Sequence, residues 1–219
     1  PKPQTPNPKP QTPNPIFYNM DKKVARQEGL DRRAAMTPEQ RTEASAKATV
    51  LSQQLFRDYL SKNPREVTIL GGYHTIRDEL DCISLLHAVK KEHGDKVTLA
   101  LPRIISVEDL TLEYRTYGSK EDLTIYRWNL PEPDTTKTQE IVPHICITAL
   151  SSFDEKLNRT GYGYGFIDRY FAKYPEMHKV GVAFEDQKVK GLLAEETDIV
   201  LDEIVTQDKI YYPKSENEM

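Results

Sequence analysis

The sequence predicts an α/β fold: a single domain with a mostly parallel sheet flanked by helices in Rossmann-like layering, preceded by a disordered Pro-rich leader. Short apolar, β-rich segments alternate with segments of helical periodicity, which is typical of strand and helix units in a parallel sheet. Loops containing glycine or polar residues follow the apolar segments, where α/β sheets bind ligands. A length of 219 residues suits one core.

The chain divides into three parts, with a leader at 1–15, a domain at 20–212 and a polar tail at 213–219. The leader contains two copies of Pro-Lys-Pro-Gln-Thr-Pro-Asn and no aliphatic or aromatic side chain. Because it has almost nothing to bury, we expect it to be disordered.

The composition of the chain argues against several classes of function. The net charge of −4 and the pI near 5.8 argue against a nucleic-acid partner. No run of about 18 apolar residues is present, so no membrane span is expected. Cys82 and Cys146 lie in separate apolar segments, which favours buried free thiols and a cytoplasmic location. The histidines lack the spacing of zinc ligands, so a structural zinc site is not expected. We expect the protein to be a monomer.

The first half of the domain starts with two helices. The segment from Met20 to Ala35 is helical and basic, with Lys22 and Arg26 on one face. Thr37-Pro38-Glu39-Gln40 has the cap, first-turn proline and capping-box glutamine that begin a helix, expected to run to Ser61. A buried strand at 67–70 then precedes Gly71-Gly72, and a helix is expected at 81–91.

Further strands follow in the second half. Buried strands are predicted at 97–101, 145–150 and 179–184, more exposed strands at 110–117, and a strand at 198–205 in which two acidic residues would form the wet face.

The stretch from Arg159 to Arg169 carries the functional prediction. Gly161, Gly163 and Gly165 alternate with larger residues, which favours a loop, and a helical stripe follows until Pro175. A glycine loop that begins a helix presents free N–H groups to an anion, and Asp168 beside it suggests Mg²⁺ between carboxylate and phosphate. A plain surface turn is the alternative, since neither a P-loop nor a dinucleotide fingerprint fits the spacing.

The same stretch resembles the Arg-Leu-Gly-x-Gly-x-Gly-Tyr-Tyr-Asp signature of the 5-formyltetrahydrofolate cyclo-ligases, also called 5,10-methenyltetrahydrofolate synthetases. Thr160 and Phe166-Ile167 depart from that pattern. The resemblance extends from about residue 20 to 212. It includes Lys22-x-x-x-Arg26, with Ala25 where the family has Leu, the segment Trp128-Asn-Leu-Pro-Glu-Pro, and Asp198-x-x-x-Asp202.

The resemblance implies roles for individual residues. Arg159 and Asp168 would be catalytic, and Asp168 and Asp202 would hold Mg²⁺. Substrate-binding roles fall on His74, Glu79, Trp128, Tyr162, Tyr164 and Phe166. ATP-binding roles fall on Lys22, Lys23, Val24, Ala25 and Arg26, and on Arg159, Thr160, Gly161, Tyr162, Gly163, Tyr164, Gly165, Phe166 and Ile167.

The implied reaction is ATP- and Mg²⁺-dependent closure of 5-formyltetrahydrofolate to 5,10-methenyltetrahydrofolate, with release of ADP and phosphate. Two other interpretations stay open from the sequence. A folate- or nucleotide-binding paralogue without turnover would keep the glycines and lose side chains at the reacting groups, as Phe166-Ile167 allows. An interaction protein would use the glycine stretch only as structure.

Overall fold

The computed structural model describes residues 20–213. The predicted leader at 1–15, and the predicted tail beyond residue 213, lie outside the described residues. The helices are α1 (Lys22–Ala35), α2 (Pro38–Lys62), α3 (Cys82–His93) and α4 (Phe166–Lys173). The strands are β1 (Thr68–Gly71), β2 (Val97–Ser106), β3 (Thr111–Tyr117), β4 (Leu123–Ile125), β5 (Pro131–Pro133), β6 (Ile145–Ala149), β7 (Ser152–Phe153), β8 (Arg159–Thr160), β9 (His178–Val182), β10 (Glu203–Val205) and β11 (Ile210–Tyr211).

A seven-stranded sheet in the order β11-β10-β9-β6-β1-β2-β3 forms the centre of the molecule. The neighbours from β10 to β2 run parallel, whereas the edge strands β11 and β3 pair antiparallel. This arrangement confirms the predicted mostly parallel α/β fold. The strand order reverses between β1 and β6, which lie side by side, and such a switch point opens a crevice at the carboxyl ends of the strands.

The two faces of the sheet carry separate apolar layers. In β2 and β6, Leu99, Leu101, Ile145 and Ile147 point to α2 and α3, while the intervening Ala100 and Cys146 point to the layer of α4. Strands buried on both faces explain the nearly continuous apolar segments in the sequence. Cys82 and Cys146 are buried and unpaired, as predicted.

Local signals account for the helix boundaries. Asp21 accepts hydrogen bonds from the backbone of Lys23 and Val24 at the start of α1. Thr37 and Gln40 form the predicted capping box ahead of α2, with Pro38 in the first turn. Within residues 20–213, none of the helices combines the length and apolar character needed to cross a membrane.

The structure differs from the sequence prediction in several segments. The short strands β7, β8 and β11 were not predicted. The strand expected at 198–205 is confined to Glu203–Val205, because the backbone of Ile199 bonds to side chains of the candidate site instead of a neighbouring strand. The hairpin of β4 and β5 was not predicted. Its second strand is only Pro131-Glu132-Pro133, and proline is normally a signal against a strand.

Candidate active site

The glycine loop, Gly161–Gly165, connects β8 to α4 beyond the carboxyl end of β6. Gly163 and Gly165 have φ of 98° and 81°, which a side chain would strain. No side chain caps α4 at Gly165, so the N–H groups of its first turn are free of a capping bond. The predicted loop and helix start are therefore present at the switch point of the sheet.

Arg26 of α1 lies directly against this loop. Its Nε donates to the carbonyl of Gly161 at 2.5 Å, and a Cβ built on Gly163 would lie 3.2 Å from its guanidinium. The two terminal nitrogens of Arg26 donate to no described residue. Arg26 therefore offers two charged N–H donors beside the glycine N–H groups, an arrangement suited to phosphate oxygens.

Asp168, in the first turn of α4, is bound to Arg159 and to the backbone of Ile199. Its Oδ1 accepts from Arg159 Nη2 at 2.7 Å and from the Ile199 N–H at 3.2 Å, and Arg159 Nη1 donates back to the Ile199 carbonyl. Asp168 Oδ2 accepts no hydrogen bond from a described residue. The arrangement fixes the carboxylate and leaves one oxygen for a ligand.

Glu79, in the loop between β1 and α3, contacts the glycine loop at Tyr162 and is only 8 % exposed. Its Oε2 accepts from the Ile76 N–H at 3.0 Å, and its Oε1 accepts from the Tyr162 hydroxyl at 2.9 Å. Burial raises the pKa of Glu79, although both hydrogen bonds act to lower it. A buried carboxylate at a crevice is suited to bind N–H donors of a flat heterocycle.

Aromatic rings line the crevice next to the loop. Trp128 and Tyr164 have ring centroids 5.5 Å apart, and Tyr164 and Phe166 have centroids 5.9 Å apart. Trp128 is 51 % exposed and adopts φ of 51°, a left-handed conformation that is uncommon for a large side chain. The indole is thus a surface group and not part of the core.

A model of the 5-formyltetrahydrofolate cyclo-ligase family matches residues 19–207, which covers the whole sheet up to β10 and the glycine loop. The chain belongs to this family. The 5-formyltetrahydrofolate cyclo-ligase of Escherichia coli K12 is 28 % identical over 187 residues, which is 82 % of this chain and 97 % of that protein. The probable 5-formyltetrahydrofolate cyclo-ligase of Schizosaccharomyces pombe is 30 % identical over 113 residues, 44 % of this chain and 55 % of that protein.

Two solved structures of cyclo-ligase relatives share the fold. The 5,10-methenyltetrahydrofolate synthetase of Aquifex aeolicus has a TM-score of 0.68 at 23 % identity, and the match covers 89 % of this chain and 93 % of that chain. The synthetase of Mycoplasma pneumoniae has a TM-score of 0.63 at 21 % identity, with coverage of 86 % and 99 %. The α/β fold of this family member is therefore that of known synthetases.

The basic side chains of this cyclo-ligase family member differ in how available they are to a phosphate group. The side chain of Arg159 is 4 % exposed and is engaged by Asp168 and Ile199, so it is less available to phosphate than Arg26. Lys22 Nζ lies 2.5 Å from Asp198 and 3.1 Å from Glu195. Burial alone would lower the pKa of Lys22, but the hydrogen bonds to these two carboxylates outweigh it and raise that pKa.

Five other residues with predicted ATP roles are either exposed or packed within the fold. Lys23 and Val24 are exposed, and Ala25 is buried against Val189 and Leu192. Thr160 is buried, with its hydroxyl 2.7 Å from that of Ser152, and Ile167 packs into the α4 layer. The contacts that these five residues make are those of helix and loop packing. Their roles in ATP binding stay predictions.

Asp202, predicted to share a metal with Asp168, is at the other end of the sheet. Its Oδ2 accepts from the backbone N–H of Lys179 at 2.7 Å, at the amino end of β9, whereas the glycine loop lies beyond the carboxyl ends of the strands. The structure therefore does not bring Asp168 and Asp202 together. Asp198 directly precedes Ile199, whose N–H donates to Asp168, and the Asp198 carboxylate accepts from Lys22 of α1.

Arg33 is a site residue that the sequence prediction missed. It is 4 % exposed, and its Nη2 donates to the Tyr162 hydroxyl at 3.1 Å. Position 33 falls on the helix face of Lys22, Arg26 and Gly29, so the helical spacing of basic residues was the available signal. His74, predicted to bind substrate, lies in the same loop as Glu79, with Nδ1 3.1 Å from the Thr75 carbonyl.

Proposed function

We propose that the protein is an enzyme that closes 5-formyltetrahydrofolate to 5,10-methenyltetrahydrofolate at the expense of ATP. One observation carries the proposal: the glycine loop contacts a guanidinium whose two terminal nitrogens donate to no described residue, and it also contacts a buried carboxylate and an exposed indole ring. The first group suits a triphosphate, and the second suits a pterin. Family membership over residues 19–207 gives the reaction class.

On the phosphate side, Arg26 and the N–H groups of the glycine loop would bind and orient the γ-phosphoryl group. Phosphoryl transfer needs in-line positioning and charge neutralisation more than a covalent protein nucleophile. Arg159 would act through Asp168, holding that carboxylate in place, and Lys22 would contribute charge from its pair with Asp198.

Mg²⁺ fits the carboxylates of this site. The described residues include no group of three or more His, Cys, Asp or Glu that would hold a metal by themselves. Mg²⁺ in nucleotide sites commonly uses one or two carboxylates together with phosphate oxygens and water, and Asp168 Oδ2 is free for that purpose. Bound there, the ion would neutralise charge on the transferred phosphoryl group.

On the pterin side, Glu79 would accept N–H donors of the ring, and Trp128 and Tyr164 would stack on its face. Phosphorylation of the formyl oxygen converts a poor leaving group into phosphate and gives an iminium phosphate. The same phosphoryl transfer releases ADP. N10 then attacks the formyl carbon and loses its proton, and the C–O bond breaks, so that phosphate leaves and the 5,10-methenyl bridge remains.

A single assay tests this function. Protein, Mg²⁺, ATP and 5-formyltetrahydrofolate are mixed, and we expect the near-ultraviolet absorbance of methenyltetrahydrofolate to rise with release of one ADP per product. Omitting ATP, or replacing it with a non-hydrolysable analogue, should abolish the signal. Binding of both ligands without product would instead identify a non-catalytic paralogue. We further propose that the protein acts as a cytoplasmic monomer on this small-molecule pair, without nucleic-acid or membrane partners.

A further inference from the structure

The glycine loop is attached at adjacent residues to two different parts of the site. Arg26 bonds to the Gly161 carbonyl and packs against Gly163, while the residue between them, Tyr162, projects to Glu79. The group that would meet phosphate and the group that would meet the pterin are thus joined through two or three residues of one loop.

The link to Glu79 runs through an oriented chain of hydrogen bonds. Arg33 Nη2 donates to the Tyr162 oxygen at 3.1 Å, and the Tyr162 O–H donates to Glu79 Oε1 at 2.9 Å. Arg33 has only donors, so Tyr162 must use its single proton toward Glu79. Arg33 therefore fixes the direction of the second bond as well as the position of the hydroxyl.

The environment makes this chain stronger than a surface contact. Arg33 is 4 % exposed and Glu79 is 8 % exposed, so both charges are largely removed from water. In such surroundings a hydrogen bond between a charged group and a hydroxyl gains strength, and losing one partner leaves a buried charge less satisfied. The guanidinium of Arg77 also lies 5.4 Å from the centre of the Tyr162 ring, which holds the ring from the side of the Glu79 loop.

We propose that Arg33 and Tyr162 form a latch that couples the two substrate sites, so that ligand bound against Glu79 orders the glycine loop for nucleotide and nucleotide orders Glu79 for folate. Arg33 is a positioning residue in this role, acting through Tyr162. The coupling rests on the proposed function, whereas the latch itself is a property of the free protein. Thermodynamic linkage requires the coupling to be reciprocal.

The first test needs no ligand. Hydrogen exchange of the 161–165 amides is compared in the wild-type protein, Tyr162→Phe, Arg33→Met and the control Tyr212→Phe, an exposed tyrosine outside the site whose hydroxyl bonds to no described residue. We expect exchange in the loop to speed up several-fold in Tyr162→Phe and in Arg33→Met, and the double variant to be no faster than either single one. Unchanged exchange in both single variants would overturn the latch, whether or not the protein is a cyclo-ligase.

The second test measures coupling. The dissociation constant of Mg²⁺ with a non-hydrolysable ATP analogue is determined with and without saturating 5-formyltetrahydrofolate. We expect folate to tighten nucleotide binding at least five-fold in the wild type and in Tyr212→Phe, and less than two-fold in Tyr162→Phe. A wild-type ratio retained in Tyr162→Phe would refute the coupling. Absence of binding of either ligand to the wild type would refute the proposed function and, with it, the coupling, while the exchange result on the latch would stand.

Discussion

At the scale of single residues, the site depends on carboxylates whose surroundings differ. Asp168 is fixed by Arg159 and keeps one oxygen free, Glu79 is buried and bonded to Tyr162, and Asp202 bonds to the backbone of β9. The three groups have the same charge, yet only the first two lie beside the glycine loop. Their substitutions should therefore have different consequences.

Burial of Glu79 should reduce the stability of the fold. Because the folded-state pKa of Glu79 is raised, the folded protein holds its proton to higher pH than the unfolded chain. Stability therefore falls as pH rises from about 4.3, the ordinary value for Glu, through the raised pKa, and the loss persists at neutral pH. Glu79→Gln removes the charge and keeps one acceptor, for the Ile76 N–H, while its amide N–H₂ faces the Tyr162 oxygen, which can accept. It should therefore be more stable than wild type at pH 7.

Urea denaturation of Glu79→Gln at pH 7 and pH 4 checks this prediction. The gain should be largest at pH 7 and shrink at pH 4, while folate binding weakens at least ten-fold. Glu66→Gln, an exposed substitution, should change the unfolding free energy by less than about 0.5 kcal/mol at both pH values. A variant less stable than wild type at pH 7 would contradict a net cost of the buried charge.

The metal assignment predicts a difference between two aspartates. Asp168→Asn should raise the Mg²⁺ concentration for half-maximal activity at least ten-fold, because the free Oδ2 loses its charge. Asp202→Asn should leave that concentration unchanged, since Asp202 lies at the amino end of β9. Activity titrated with Mg²⁺ measures both. Equal effects of the two substitutions would restore the pairing that the sequence predicts and contradict the assignment to Asp168 alone.

At the scale of elements, short-range patterns predicted more than long-range ones. Signals between neighbouring residues define the Thr37 capping box, the Pro38 helix start and the buried strands. Each of these features was correctly predicted. The β4 and β5 hairpin was missed because its prolines argue against a strand. The choice of carboxylate near Asp168, and the contact of Arg33 with Tyr162, depend on residues 30 or more positions apart, and no local pattern encodes them.

Trp128, between β4 and β5, is predicted to be an exposed ring on which the pterin stacks. Because the indole is 51 % exposed, Trp128→Ala should change the free energy of unfolding by less than about 1 kcal/mol. Folate binding should weaken by about 1 to 3 kcal/mol if the pterin stacks as nucleobases stack on aromatic side chains. Titrations of folate and nucleotide with the same variant check this, and nucleotide affinity should change little. Tyr212→Ala, also exposed, is the control and should affect neither ligand.

Helix α1 packs closely against the loop after β6 at Gly29, so a larger side chain there should destabilise the fold. A Cβ at this position would lie 2.0 Å from the Ser151 carbonyl oxygen, so Gly29→Ala must push α1 away from the loop after β6. The overpacking should cost about 1 to 3 kcal/mol and exceed the gain in helix propensity. Since Arg26 moves with α1, the KM for ATP should also rise.

Denaturation and kinetics of Gly29→Ala are compared with Gln27→Ala, on the exposed side of the same helix. The control should change the unfolding free energy by less than about 0.5 kcal/mol and leave the KM unchanged. A stable Gly29→Ala variant with normal KM would show that α1 accommodates the methyl group without moving Arg26.

At the scale of the whole molecule, the site is assembled from segments far apart in sequence, and Asp154 ties several of them together. It is 1 % exposed, and its Oδ1 accepts from the N–H groups of Lys156 and Asn158 at 2.9 and 3.0 Å. Its Oδ2 accepts from Asn158 Nδ2 at 3.0 Å and from the Leu192 N–H at 2.8 Å. Asn158 leads directly into Arg159, and Leu192 packs under α1.

Removing this carboxylate should therefore loosen the site and the fold together. Asp154→Ala leaves four donors without their acceptor, one of them buried, and should cost about 2 to 5 kcal/mol in unfolding free energy. Asp154→Asn keeps Oδ1 for two donors but turns an amide N–H₂ toward Asn158 and Leu192, so it should lose roughly half as much. Denaturation measures these losses, and hydrogen exchange should speed up at Leu192 and across the start of α1. Asp186→Ala, an exposed control, should show neither change, and a fully stable Asp154→Ala would mean that these segments are held by apolar packing alone.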